Sequence, residues 1–460
     1  MEWYKGRDQK FREGRKYMDN KGLSAKLWVL SKQLQEKVKE YKSSKQLTKT
    51  KQLRLKSKIS AFDYKEGNIS YTTSHSPIIK EEWDLKKFFD FTEKVVKQIP
   101  DYHHLALEIS KRCEVNEHQA DFWLGQFAQT LTRQAFEGLS EETLVDTISM
   151  FVNDLDKGLV EWKLKVWVNG VWLEDEEYDI YEGLRVRRTR PSDLEVETPF
   201  YLLPYPSEPS PFGPTPSAIL ELVYRAKEPV AFQDEIENII NCLRLFRLGS
   251  VFSIKIKTHP KSILQSGPTL GSGLRFGSTY KYPISKEDIP KLAGLIAKIK
   301  VLLPKEIDPV NIALQRYNDA LLKPESIESR ITSTITCFEA LYLKAEERME
   351  LSHRLSQRAA ALLGFFDFVP LEVYKNLDRA YDVRSTFIHG SLIEAEKHKD
   401  IADLAEKTLN YARISLLIFL QLKSLIDKDK FINRIDNSLL DTRAHSKLEE
   451  FVKENCPMYS

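Results

Sequence analysis

The chain has few cysteines, no long apolar run and almost no net charge. Its cysteines, Cys113, Cys242, Cys337 and Cys456, are scattered without a CxxC pair. That spacing excludes a disulfide scaffold and a compact zinc motif. The longest apolar run, Ile414 to Leu422, falls far short of the ~20 residues that cross a bilayer, so no membrane association is expected. The first residues lack the apolar core of a secretory leader, and the expected setting is the reducing cytoplasm. Net charge is +2, so bulk electrostatics singles out no polyanionic partner. Gly267, Gly271, Gly273 and Gly277 do not form a phosphate loop, because Leu274 and Arg275 follow Gly273 where Lys and Ser or Thr would be needed. His103, His104, Cys113 and His118 match no compact ligand spacing. No metal and no cofactor is expected.

What is present divides the chain into parts. Residues 1–60 carry a large excess of Lys and Arg. Leu27, Leu30, Leu34, Val38 and Tyr41 recur at helical spacing, so this segment is expected to be a basic helical extension. Lys51, Arg54 and Lys56 could touch phosphates there, or the segment could be a solvated tail or a partner helix. Residues 61–80 are expected to be a polar loop. Residues 81–157 are expected to be helical, with Trp83, Phe88, Phe91 and Val95 on one face and Phe122, Phe127, Leu131 and Phe136 on another.

From residue 160 the pattern alternates. Asn169-Gly170 between two such runs predicts a hairpin. Arg185, Arg187, Arg188 and Arg190 cluster on the next strand pair, either for phosphates or facing Glu174 to Glu177. Residues 160–303 are expected to be an α+β unit with antiparallel strands, interrupted by a Pro-rich loop at 199–216. Beyond Pro309 the pattern is helix after helix up to residue 426, with a polar tail at 430–460. The fold class is therefore α+β and multidomain, mostly α, with the strands in the smaller N-terminal part and an all-α bundle at the C-terminal end.

Within that bundle lies Tyr381-Asp-Val-Arg384-Ser-Thr-Phe-Ile-His389-Gly390. Arg384 is always charged, His389 can exchange protons near neutral pH, and Gly390 can end a helix. Such a pair can cleave RNA without a metal. Glu339, Arg354, Arg358, Asp382 and Arg384 fall on faces that should be mostly buried, where a charge must be paired or used. In a straight helix five positions turn a side chain by ~140°, so Arg384 and His389 diverge unless the helix frays at His389 or two chains meet.

Several phrases in order carry a family resemblance: Ala313 to Leu321, Ile331 to Tyr342 around Glu339, Glu350 to Gly364 around Arg358, and Ala380 to Gly390. They resemble the Apea-like branch of the HEPN superfamily, whose mark is an Arg, four to six residues and a His late in a helical bundle. Gly183 to Glu195 is similar to the N-terminal regions that accompany such domains. The resemblance implies an endoribonuclease in which His389 is general acid or base and Arg384 neutralises the phosphoryl group, with Glu339, Arg358, Asp382 and Ser385 in support. It also implies a homodimer sharing one cleft, RNA as partner, an unknown trigger, and a role in bacterial defence against phage. Many active members carry Asn, Asp or His after the Arg, where this chain has Ser385. The alternative is a non-catalytic bundle of the same type that binds RNA or a protein.

Overall fold

The computed structural model describes residues 22–43, 49–66, 68–83, 90–157, 160–199, 216–226, 232–260, 262–264, 269–272, 282–303, 307–323, 326–390 and 398–457. The chain is mostly helical, with antiparallel sheets in the N-terminal part and helices at the C-terminal end. Most of the expected Pro-rich loop and of the glycine-rich stretch lies outside the described residues.

Helix α1 (Leu23–Ser43) packs against α2 (Tyr102–Cys113), α3 (Glu117–Glu137) and α4 (Glu141–Lys157). Its stripe Leu27, Leu30, Leu34 and Val38 is fully buried, so α1 is a core element and not a solvated extension. Tyr41 closes the stripe edge-to-face on Phe91, 4.6 Å between ring centres. Phe127, Leu131 and Phe136 line the opposing face as expected, whereas Phe122 points to solvent.

The basic segment does not continue as helix. Between α1 and α2 the chain forms a long hairpin, β1 (Lys49–Lys65) and β2 (Asn68–Trp83). Residues 61–80 are thus strand and turn where a polar loop was expected. Trp83 ends β2 and does not start a helical face, and Phe88 lies outside the described residues.

The second unit is a sheet in the order β10-β9-β3-β8-β6-β5. Its strands are β3 (Val160–Asn169), β5 (Glu177–Tyr181), β6 (Leu184–Arg188), β8 (Ala218–Ala226), β9 (Phe252–Pro260) and β10 (Thr269–Ser272), every pairing antiparallel. Between β6 and β8 come a single turn, α5 (Pro191–Leu194), and β7 (Val196–Pro199), which pairs with β1. Helices α6 (Phe232–Phe246) and α7 (Asp288–Ile299) share a core with the sheet's inner face, from which Leu164, Val166, Leu222 and Ile256 project.

Asn169-Gly170 turns the chain but makes no hairpin. β3 pairs with β8 and β9, while β4 (Val171–Leu173) leaves the sheet to pair in parallel with β11 (Tyr282–Ile284). Gly170 sits at φ +94°, and a Cβ there would lie 2.4 Å from the Ser250 carbonyl oxygen. Two strands distant in sequence outcompete the local neighbour, and the glycine lets the corner press against Ser250. Gly170→Ala therefore destabilises the chain by at least about 1–3 kcal/mol, read as a lowered urea midpoint. An unchanged midpoint would show that the corner can relax.

The C-terminal bundle comprises α8 (Pro309–Leu322), α9 (Ile327–Tyr342), α10 (Leu351–Leu363), α11 (Pro370–Ile388) and α12 (His398–Leu422). Capping side chains start α8 and α9: Asp308 accepts from the Asn311 N–H and Ser326 from the Ser329 N–H. Residues 430–460 are more than a tail. α13 (Lys428–Ser438) and α14 (Thr442–Asn455) bury Phe431, Ile432, Ile435, Leu448 and Val452.

A polar seam fastens bundle to sheet. Arg413 on α12 donates to the Leu245 and Phe246 carbonyls at the end of α6, both at 2.9 Å. Tyr317 donates to the Arg244 carbonyl and Ser250 to the Leu321 carbonyl. These bonds satisfy helix-end carbonyls that burial would otherwise leave without partners.

Candidate active site

Helix α11 carries the Arg–His motif on its last turns. It is regular up to Ile388; His389 is its C-cap, and Gly390 takes the left-handed conformation at φ +76°. The His389 N–H donates to the Ser385 carbonyl and the Gly390 N–H to the Phe387 carbonyl. The expected glycine cap is therefore present. His389 is exposed, and beside it Phe387 and Ile388 are 41% and 55% exposed.

Arg384 faces the other way, into the groove between α11 and α9. One of its Nη atoms donates to Glu339 Oε2 at 3.1 Å, both side chains being about one-fifth exposed. Its guanidinium lies 5.3 Å from the Tyr381 ring centre, in range of a cation–π contact. Its Nε has no hydrogen-bond partner among the described residues. Burial pushes the Glu339 carboxyl above its ordinary pKa, against the pull of Arg384 and of the Tyr381 hydroxyl. The same burial raises the Tyr381 phenol. Glu339, Tyr381 and Arg384 thus form one partly buried cluster, with a carboxylate that holds the guanidinium by a single bond.

No hydrogen bond joins Arg384 to His389. Since the helix is regular through Ile388, the ~140° divergence is not relieved by fraying, and one chain does not bring the two side chains together. Ser385 is half-buried, its carbonyl engaged by His389. Asp382 and Arg354, expected on buried faces, are exposed. Arg358 is buried in a separate network, bonded to Glu347, Asp436 and the Tyr342 carbonyl.

Sequence reasoning passed over the recess beside Tyr381. It measures about 600 Å³ and is lined by Arg348, Ser352, His353 and Asp378. His353 Nδ1 lies 3.0 Å from the Tyr374 hydroxyl. These residues come from α10, the segment before it and α11, and only the packing of the two helices makes them neighbours.

The arginine cluster of β6 is largely consumed by acidic partners. Arg185 bonds Asp179 and Glu177. Arg187, 5% exposed, forms paired bonds to Asp193 and another to Glu221. Arg188 donates to the Leu173 and Glu174 carbonyls, and Arg190 bonds Glu177. Hydrogen bonds from Arg187 and Lys165 hold the Asp193 carboxyl down at about 2 in spite of its burial. Lys51, Arg54 and Lys56 sit on β1, where Lys51 approaches Glu81 at 3.9 Å.

Among the described residues no group of three His, Cys, Asp or Glu is placed to hold a metal ion, and no helix is long and apolar enough to cross a membrane. All four cysteines are unbridged, and Cys337 is a buried residue of α9 as expected. No family model matches the chain, and no curated protein or solved structure matches it either.

Proposed function

We propose that the chain is a metal-independent endoribonuclease of the HEPN type, working as a homodimer on RNA. The observation that carries this reading is the placement of the motif. An exposed imidazole sits at a capped helix end, and a guanidinium five residues earlier is steered by Glu339 and Tyr381. In the proposed reaction His389 takes the 2′-hydroxyl proton as that oxygen attacks the adjacent phosphorus. The bond to the 5′-oxygen breaks, and water protonates that oxygen as it leaves. Arg384 neutralises the charge gathering on the phosphoryl oxygens. The products are a 2′,3′-cyclic phosphate and a 5′-hydroxyl, and DNA, lacking the nucleophile, is not cut. Divergence of the pair within one helix favours a two-fold cleft in which each chain supplies part of the constellation. The exposed Phe387 and Ile388 suit the contact that would close it.

The test is cleavage of a mixed RNA pool by the purified chain in excess EDTA, with product ends mapped and oligomeric state measured by light scattering. Cyclic-phosphate ends from a dimer are expected. An intact dimer that binds RNA without cutting it would favour the second reading, a non-catalytic scaffold. The Arg384–Glu339 ion pair supports that alternative, because a paired arginine is also what a purely structural helix contact requires. A role in defence against phage is a further proposal, resting on the family resemblance alone.

A further inference from the structure

The recess beside Tyr381 takes no part in the chemistry assigned to Arg384 and His389, yet it lies on the same helix. Tyr374, Asp378, Tyr381 and Ser385 follow one another at intervals of four, three and four residues, which sets them in one stripe along α11. At ~100° per residue, Arg384 falls on one side of that stripe and His389 on the other. At ~1.5 Å per residue, Asp378 stands roughly 9 Å along the axis from Arg384 and roughly 16 Å from His389. An RNA strand whose phosphate lies at the end of α11 can therefore reach the recess with a nearby nucleotide.

The lining holds both signs of charge and an exposed ring. Asp378 is half-buried, and its Oδ1 accepts from the Ser352 hydroxyl at 2.8 Å. It forms no ion pair among the described residues. Glu350 turns toward Arg354, 3.8 Å away. Arg348 is exposed and uses one Nη atom on the Ala345 and Glu347 carbonyls, which leaves its other N–H groups for a ligand. His353 is exposed as well. The Tyr374 hydroxyl meets its Nδ1 at 3.0 Å, and the two rings stand at 83° to each other. That contact lies at the edge of the imidazole and leaves its faces open.

Two carboxylates against one guanidinium make the recess a poor phosphate site. An exposed ring beside polar groups is the arrangement that takes an unstacked nucleobase. The carboxylate selects the base. Asp378 offers only acceptors, so its complement is an edge with two adjacent donors. Guanine has such an edge in its N1–H and its N2 amino group. Adenine and cytosine each set a ring acceptor beside their amino group, and uracil has a single N–H between two carbonyls. An acceptor facing Asp378 is repelled. Guanine also carries O6 and N7, the acceptor pair that arginine binds most often.

We propose that the recess is a base subsite for an unpaired guanine near the cleaved bond, stacked on His353, with Asp378 on its N1 and N2 donors and Arg348 on O6 or N7. The assignment rests on the nuclease reading above and makes the substrate a single-stranded RNA containing guanosine.

Fluorescence anisotropy of the full chain at low salt tests this. The probes are short oligouridines with a single internal G, A or C, and the plain oligouridine, all 2′-O-methylated so that none can be cut. The G probe is expected to bind at least about fivefold tighter than the other three, the low end of what a paired base contact discriminates. Asp378→Asn keeps an acceptor for Ser352 but sets an amide N–H against the guanine donors, so it should abolish the preference for G. His353→Ala should weaken all four probes by similar factors, since stacking is sequence-tolerant. Equal affinity for the four probes overturns the proposal, as does a G preference that survives Asp378→Asn, or no binding of any probe. Cleavage is read separately in excess EDTA on a mixed RNA pool. Wild type should cut near G, and Asp378→Asn should lose that bias while still cutting; cleavage indifferent to G overturns the subsite. Asp378-dependent G binding without any cleavage overturns the nuclease reading and leaves the guanine site standing.

Discussion

On the proposed reading, RNA cleavage in excess EDTA is expected to fall by roughly two to four orders of magnitude in His389→Ala, the range for losing a positioned acid–base group. Arg384→Ala is expected to cost about two to three orders, the scale of losing one charged donor at a developing oxyanion. Neither loss is expected to be a folding defect. His389 is exposed at a helix end, and its backbone N–H is bonded to the Ser385 carbonyl. Arg384 meets Glu339 through a single hydrogen bond with both side chains about one-fifth exposed, so water can reach the carboxylate when the guanidinium is removed. Thermal melts of both variants should therefore lie near wild type while single-turnover rates collapse. Mixing the two inactive variants should restore partial cleavage if one cleft takes Arg384 from one chain and His389 from the other. Cleavage that survives both substitutions would place the chemistry elsewhere.

The helical bundle was legible in the sequence because its stripes are long and strictly periodic, as in Ile331, Ile335, Phe338 and Leu341 of α9. The hairpin at 49–83 was not, although its alternation exists. Leu53, Leu55 and Ile59 share one face with Phe62 and Tyr64, but a bulge between Ile59 and Ala61 shifts the parity and breaks the pattern in mid-strand. Asn169-Gly170 announced a turn, yet a turn signal does not say which strands will pair across it. The Arg–His motif and its glycine cap could be read directly. The divergence of the two side chains was legible as well, because five residues turn a regular helix by ~140°, and α11 stays regular through Ile388. For Arg358 the need of a partner was legible, but Asp436, one of the partners it found, lies 78 positions away on a helix expected to be a polar tail.

Arg358→Met destabilises the bundle by about 3–5 kcal/mol, the cost of removing one side of a buried ion network. All five N–H groups of this guanidinium are used. Nε and one Nη bond Asp436 at 2.7 and 2.9 Å, and the Nη pair bonds Glu347 at 2.7 and 2.8 Å with the Tyr342 carbonyl at 2.8 Å. The network ties α10 to the end of α9 and to α13. Hydrogen bonds from Arg358 hold the Glu347 carboxyl down at about 2. A carboxylate depressed in the folded state binds fewer protons there than in the unfolded chain. Its contribution is therefore complete above the ordinary glutamate range and is lost as pH falls toward about 2, a change of roughly 3 kcal/mol. Wild type should lose stability over that interval. In Arg358→Met the slope should be shallower, though not flat, because the Lys344 N–H and Arg354 still reach Glu347. Urea unfolding at pH 7 reads the first number, and a series from pH 7 down to pH 3 reads about two thirds of the second; parallel slopes would remove Arg358 as the cause. Cleavage per folded molecule should stay at the wild-type level, since a guanidinium with no N–H to spare has none to offer a phosphate. A variant that folds fully but does not cut RNA would instead return Arg358 to the site.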